Sequence, residues 1–89
     1  MNIDQIKERL KKMLVDKLRL KRTLESIKDN EPLFREGLGL DSIDSLEIVV
    51  LIEREFDLSI SADELKDTAK IFKDVQSLAD FVALLLTKK

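Results

Sequence analysis

The sequence predicts an all-α fold, a four-helix bundle of three main helices and one short third helix. Three observations predict it. Apolar residues make up 44% of the 89-residue chain, which suffices for a folded core. Only four of them are aromatic (Phe34, Phe56, Phe72 and Phe81), so aliphatic side chains must fill that core. With two glycines and one proline, strong helix formers dominate, and their apolar positions recur at intervals of three and four. A chain of this length has room for one core, so residues 1–89 are read as a single domain.

The first helix begins at Asn2, a good N-cap, with Gln5 at the reciprocal capping-box position and Met1 placed to staple onto Ile6. Ile3, Ile6, Leu10, Met13, Leu14 and Leu18 form its buried stripe. From Arg19 to Leu40 the periodicity weakens. Leu20, Leu24 and Ile27 suggest a ragged extension or a short turn, and Asp29-Asn30-Glu31-Pro32 is a breaker cluster. A connection this long needs anchors, which Leu33, Phe34, Leu38 and Leu40 supply.

A second helix is expected over Ser42 to Phe56, with Asp41 as N-cap. Its run Ile48-Val49-Val50-Leu51-Ile52 goes all the way round a helix at 100° per residue. One core covers only part of that circumference, so something apolar besides the core is expected beside this helix. Ser61 and Glu64 form a capping box, with Ile60 stapled to Leu65, opening a short third helix that ends before Thr68 or Ile71. The last helix starts near Asp74 and buries Val75, Leu78, Ala79, Val82, Leu85 and Leu86. Lys88 and Lys89 suit the negative end of its dipole.

Composition excludes much chemistry. Without cysteine there is no disulfide, thiolate nucleophile or sulfur-bound metal; without histidine the usual general base is missing. No EF-hand spacing occurs, so no metal site is expected. Gly37 and Gly39 lack the third glycine and the strand of a dinucleotide fingerprint. A self-contained enzyme is not expected. The longest apolar run, Phe81 to Leu86, is far too short to span a membrane, and no signal peptide opens the chain, so the expected compartment is the cytoplasm.

Charge is segregated. Residues 1–28 hold nine Lys/Arg against four Asp/Glu, whereas residues 29–67 hold three against twelve. The acidic middle suits a basic partner. The basic start lacks the aromatic interleaving of a nucleic-acid surface, so no nucleic acid is expected.

Within the acidic middle, Ser42 stands out. At the first helical position its hydroxyl lies beside backbone N–H groups with partial positive charge, a favourable place for an attached phosphate. Asp41 and Asp44 flank it. A surface serine that merely favours a helix start is the plain alternative.

Gly39-Leu40-Asp41-Ser42-Ile43-Asp44, followed by Leu46-Glu47 and Leu51-Ile52-Glu53-Arg54-Glu55-Phe56, resembles the signature of the acyl carrier protein family. The likeness continues through Ile60 and Val75-Gln76-Ser77-Leu78, and the first helix matches in length and pattern. The resemblance implies a non-catalytic monomer carrying a covalent 4′-phosphopantetheine on Ser42, whose terminal thiol holds acyl groups as thioesters. It implies cofactor-site residues Ser42 and Asp41, and partner-binding residues Asp44, Leu46, Glu47, Val50 and Glu53. Ile48, Ile52, Phe56 and Ile71 would line any space that sequesters an acyl chain. The implied partners are a phosphopantetheinyl transferase (holo-carrier synthase) and acyl-loading, ketosynthase-type or acyltransferase enzymes of fatty acid, polyketide or related lipid biosynthesis.

The chain departs from the housekeeping pattern in its near-neutral charge, basic first helix, longer loop before the motif and Arg54 in place of an acid. These departures point to a specialised carrier. An aminoacyl or D-alanyl carrier, or an unmodified helical interaction module, is the alternative.

Overall fold

The computed structural model describes residues 2–34 and 42–88, the side chains of 42 and 43 excepted. Among the described residues four α-helices occur in order: α1 (Ile3–Lys17), α2 (Ser42–Phe56), α3 (Thr68–Ile71) and α4 (Val75–Lys88). There is no strand among the described residues, and Pro32 forms an isolated bridge with Asp74. The all-helical expectation holds, with three substantial helices and one very short one.

α1 starts as its sequence dictates. The Asn2 side chain accepts the Gln5 N–H at 2.9 Å, and the Gln5 side chain accepts the Asn2 N–H at 3.0 Å. Both otherwise orphaned donors are satisfied, which stabilises such an end by about 1 kcal/mol. Met1 lies outside the described residues. Ile6, Leu10, Met13 and Leu14 are buried, while Ile3 and Leu18 lean on the core from its edge. The helix ends on Arg19, whose φ of 54° is the left-handed conformation usually given to glycine. A side chain there costs about 1 kcal/mol.

The long connection after α1 is held from three sides. It makes a 3-10 turn at Leu24–Ser26, and Ile27 and Leu33 are then buried completely. The Leu33 N–H donates to the Lys73 carbonyl, and the Gln76 N–H donates to that of Asp29, so the loop is laced to the start of α4. Phe34 packs against Phe72 with ring centroids 6.5 Å apart. Leu33 and Phe34 thus anchor the loop as expected, whereas Leu38 and Leu40 lie outside the described residues.

Charge completes the lacing. Lys7 and Lys11, one turn apart on α1, both reach the Asp29 carboxylate, at 3.1 and 2.8 Å. Arg22 grips Glu31 with two N–H groups at 2.8 Å each and also holds Ser26. Lys11 first and then Lys7 hold the Asp29 carboxyl below the usual carboxylate range, as Arg22 does for Glu31. A depressed pKa contributes stability that is present above the unfolded value, near 4, and is lost as pH falls through the folded value. Asp29→Asn is therefore expected to cost about 0.5–1 kcal/mol at pH 7, because these pairs are solvent-screened. That deficit against wild type should narrow in urea melts as pH falls below about 4 and through the depressed folded value. An unchanged deficit across that range would show that the carboxylate charge is not what holds the loop.

The third helix differs from its expectation. The Ser61–Glu64 capping box forms, but it opens a 3-10 turn at Ala62–Leu65, and the α-helical turn is a separate one at Thr68–Ile71. Residues 61–70 include no buried side chain, so nothing enforces a continuous helix across them. Leu65 and Ile71 lean on the core as its outer members. α4 then begins at Asp74, whose Oδ1 accepts the Ser77 N–H at 2.8 Å. Val75, Leu78, Ala79, Val82 and Leu85 are buried as the spacing predicts, and Leu86 is half-buried. Lys89 lies outside the described residues.

α2 closes the bundle. Ile48, Ile52 and Phe56 join the same contiguous core as the stripes of α1 and α4. At its C-terminal end Arg9 of α1 lies over the Phe56 ring, 5.2 Å from the centroid, and donates to the Glu55 carboxylate and carbonyl. A cation at this end also complements the helix dipole. The basic first helix thus spends Lys7, Arg9 and Lys11 on acids of its own chain.

Candidate functional site

Ser42 is the first residue of α2, a fifteen-residue helix. The first N–H groups of such a helix have no intrahelical carbonyl to bond, and they carry the positive end of its dipole. A phosphate ester at this end is electrostatically favoured. The backbone placement predicted for Ser42 is therefore the one observed. Asp41 lies outside the described residues. Asp44 falls in the first turn and is half-buried.

Beyond Ser42 the helix presents an apolar surface to solvent. Leu46 is 70% exposed and Val50 44% exposed, both large apolar side chains of α2. Exposing a leucine rather than burying it forgoes about 1.5–3 kcal/mol of stabilisation. The five-residue apolar run resolves as its arithmetic requires: Ile48 and Ile52 face the core, Val49 and Leu51 sit on the shoulders, and Val50 faces out. Glu47 is exposed beside Leu46 and Val50.

Glu53 stands apart from these. Its Oε2 accepts the Ile60 N–H at 2.8 Å and its carbonyl accepts the Leu58 N–H at 2.9 Å. This half-buried carboxylate fixes the turn after α2, a task its place in an acidic helix gave no sign of. Of the residues named for partner binding, α2 brings Leu46, Glu47 and Val50 onto one exposed face. Asp44 lies on a shoulder, and Glu53 is tied to the turn. Ile48, Ile52 and Phe56 are ordinary core members, with Ile71 at the margin.

Other parts of the surface offer less. A cleft between α1 and the Leu24–Ser26 turn is lined by Lys7, Lys11, Leu24 and Asp29, but its lysines already bind its aspartate. Among the described residues no group of three His, Cys, Asp or Glu is placed to hold a metal ion. No described helix is long and apolar enough to cross a membrane.

Comparison with known proteins assigns the arrangement. The family model described as "Phosphopantetheine attachment site" matches residues 8–85. The acyl carrier proteins of Buchnera aphidicola subsp. Acyrthosiphon pisum, strains Tuc7, 5A and APS, are each 39% identical to this chain over 77 residues. The match covers 86% of this chain and 88% of each relative. A helix that starts on a serine suits the phosphodiester, and a chain without cysteine needs the thiol this prosthetic group brings. The match runs from within α1 to within α4, and on it the chain belongs to the acyl carrier protein family, non-catalytic carriers whose prosthetic group is 4′-phosphopantetheine.

Proposed function

We propose that Ser42 is the attachment residue, and that the chain carries acyl intermediates to partner enzymes of a specialised fatty acid, polyketide or related lipid pathway in the cytoplasm. The observation that carries this reading is the start of α2 at Ser42, directly before an exposed apolar surface. When bound, the arm supplies a thiol that holds the acyl group as a thioester. The chain's own residues do the rest. The Ser42 hydroxyl receives the phosphodiester, and the first-turn N–H groups of α2 favour its negative charge. Asp41 and Asp44 draw the basic surface or the Mg²⁺-bearing site of a phosphopantetheinyl transferase. Leu46 and Val50 seat in an apolar recess of the partner, while Glu47 meets a cation there. Tethering raises the effective concentration of the acyl group at each ketosynthase-type or acyltransferase partner.

Co-expression with a phosphopantetheinyl transferase of broad range, followed by intact-mass and fragment-mass spectrometry, tests this. One added arm, located on Ser42, is the expected result. A chain that stays unmodified is instead a helical interaction module, and an arm on another residue removes the assignment.

A further inference from the structure

α2 carries a ridge that runs away from Ser42. Ser42, Leu46, Val50 and Arg54 succeed one another at intervals of four, the spacing of the rows that pack into grooves on other proteins. Over twelve residues the ridge extends about 18 Å. The described side chains along it, Leu46, Val50 and Arg54, are all exposed, with Glu47 exposed alongside. Arg54 is the only cation of α2, among Asp44, Glu47, Glu53 and Glu55. Two of those acids are committed within the chain, Glu55 to Arg9 and Glu53 to the Ile60 N–H. Neither Glu47 nor Arg54 makes an ion pair among the described residues. The ridge thus carries a defined charge sequence, with an anion near Ser42 and a cation at its far end.

An enzyme that modifies Ser42 seats beside the start of this ridge. A standard protein interface covers about 800 Å² per partner, a patch roughly 30 Å across. Such a patch displaced from Ser42 along α2, over Leu46 and Val50, takes in Arg54 at its edge. Covering an arginine without a counter-charge is costly, since the uncompensated charge loses its hydration. A carboxylate of the enzyme at that point removes this cost.

We propose that Arg54 is a specificity-determining contact, met by a carboxylate on the phosphopantetheinyl transferase that seats over Ser42, while a cation of the same enzyme faces Glu47. This rests on the attachment of the arm at Ser42. A transferase whose docking surface is uniformly basic is rejected by the same arginine through like-charge repulsion. Arg54 also complements the dipole at the end of α2, but a dipole role alone acts on stability rather than on arm transfer.

The test is kcat/KM for arm transfer from coenzyme A by the phosphopantetheinyl transferase of the source organism, read by intact mass. Arg54→Glu should lower it about tenfold or more at ~20 mM salt, chiefly through KM, and the gap should shrink at ~0.5 M salt. Arg54→Gln should lower it less, and Arg54→Lys should retain most of it. Lys17→Glu makes the same charge change on the exposed face of α1 and should leave the rate unchanged. An Arg54→Glu chain modified as fast as wild type, or faster, overturns the proposal alone. A wild-type chain that receives no arm overturns the attachment at Ser42 and the proposal with it.

Discussion

Ser42→Ala is expected to leave a folded chain that accepts no arm. Nothing else in the sequence compensates, because the chain has no cysteine to hold a thioester directly. Loss of acyl loading should therefore be complete rather than partial, with intact mass fixed at that of the bare polypeptide. The folded state should survive, since α2 is held by Ile48, Ile52 and Phe56 in the core and by Arg9 at its far end. Circular dichroism melting within a few degrees of wild type checks that half of the prediction. Retention of the arm by Ser42→Ala would assign the attachment to another hydroxyl.

Leu33→Ala is expected to have the largest effect on stability of any loop substitution. The residue sits in an irregular connection, yet its side chain is completely buried and its N–H bonds the Lys73 carbonyl. Deleting such a side chain costs about 3 kcal/mol, from lost transfer free energy plus the cavity left behind. In a domain this size that lowers the melting temperature by roughly 12 °C or more. Leu84→Ala is the matched control. Leu84 lies in the middle of α4 but is 54% exposed, so its removal should cost no more than about 0.5 kcal/mol. If the two variants melted alike, the loop would not be anchored through Leu33.

Both leucines were legible in the sequence, Leu33 as an apolar anchor of the connection and Leu84 as a residue outside the buried stripe. Leu84 belongs to a regular helix, and Leu33 belongs to a polar loop beside a proline. Periodicity assigned the buried face of α4 correctly, with Leu84 left out of it. It also assigned α1, whose capping box and stripe are local features set within four residues. The Ser61–Glu64 box is equally local, and it formed. The course of the chain beyond that box depended on burial. Without side chains in the core, residues 61–70 became a 3-10 turn and a separate helical turn instead of one helix.

The candidate site divides in the same way. That Ser42 opens a helix, and that this helix is too apolar for core work alone, are consequences of the order of residues and a rotation of 100° per residue. Burial then separated the acids of α2, which look alike in one dimension. Glu47 is left on the exposed face, Glu53 is drawn to the Ile60 N–H and Glu55 to Arg9. The cations of α1 were sorted likewise, with Lys7 and Lys11 placed on Asp29, which lies more than fifteen residues away along the chain. The capping boxes at Asn2 and Ser61 and the buried stripes of α1 and α4 depend on interactions within one or two turns, so the sequence by itself determined them and, through Ser42 and its neighbours, the family. Which charges hold the chain together and which face outward depends on pairings between distant segments. Packing of the helices creates those pairings, and only the tertiary structure decided them.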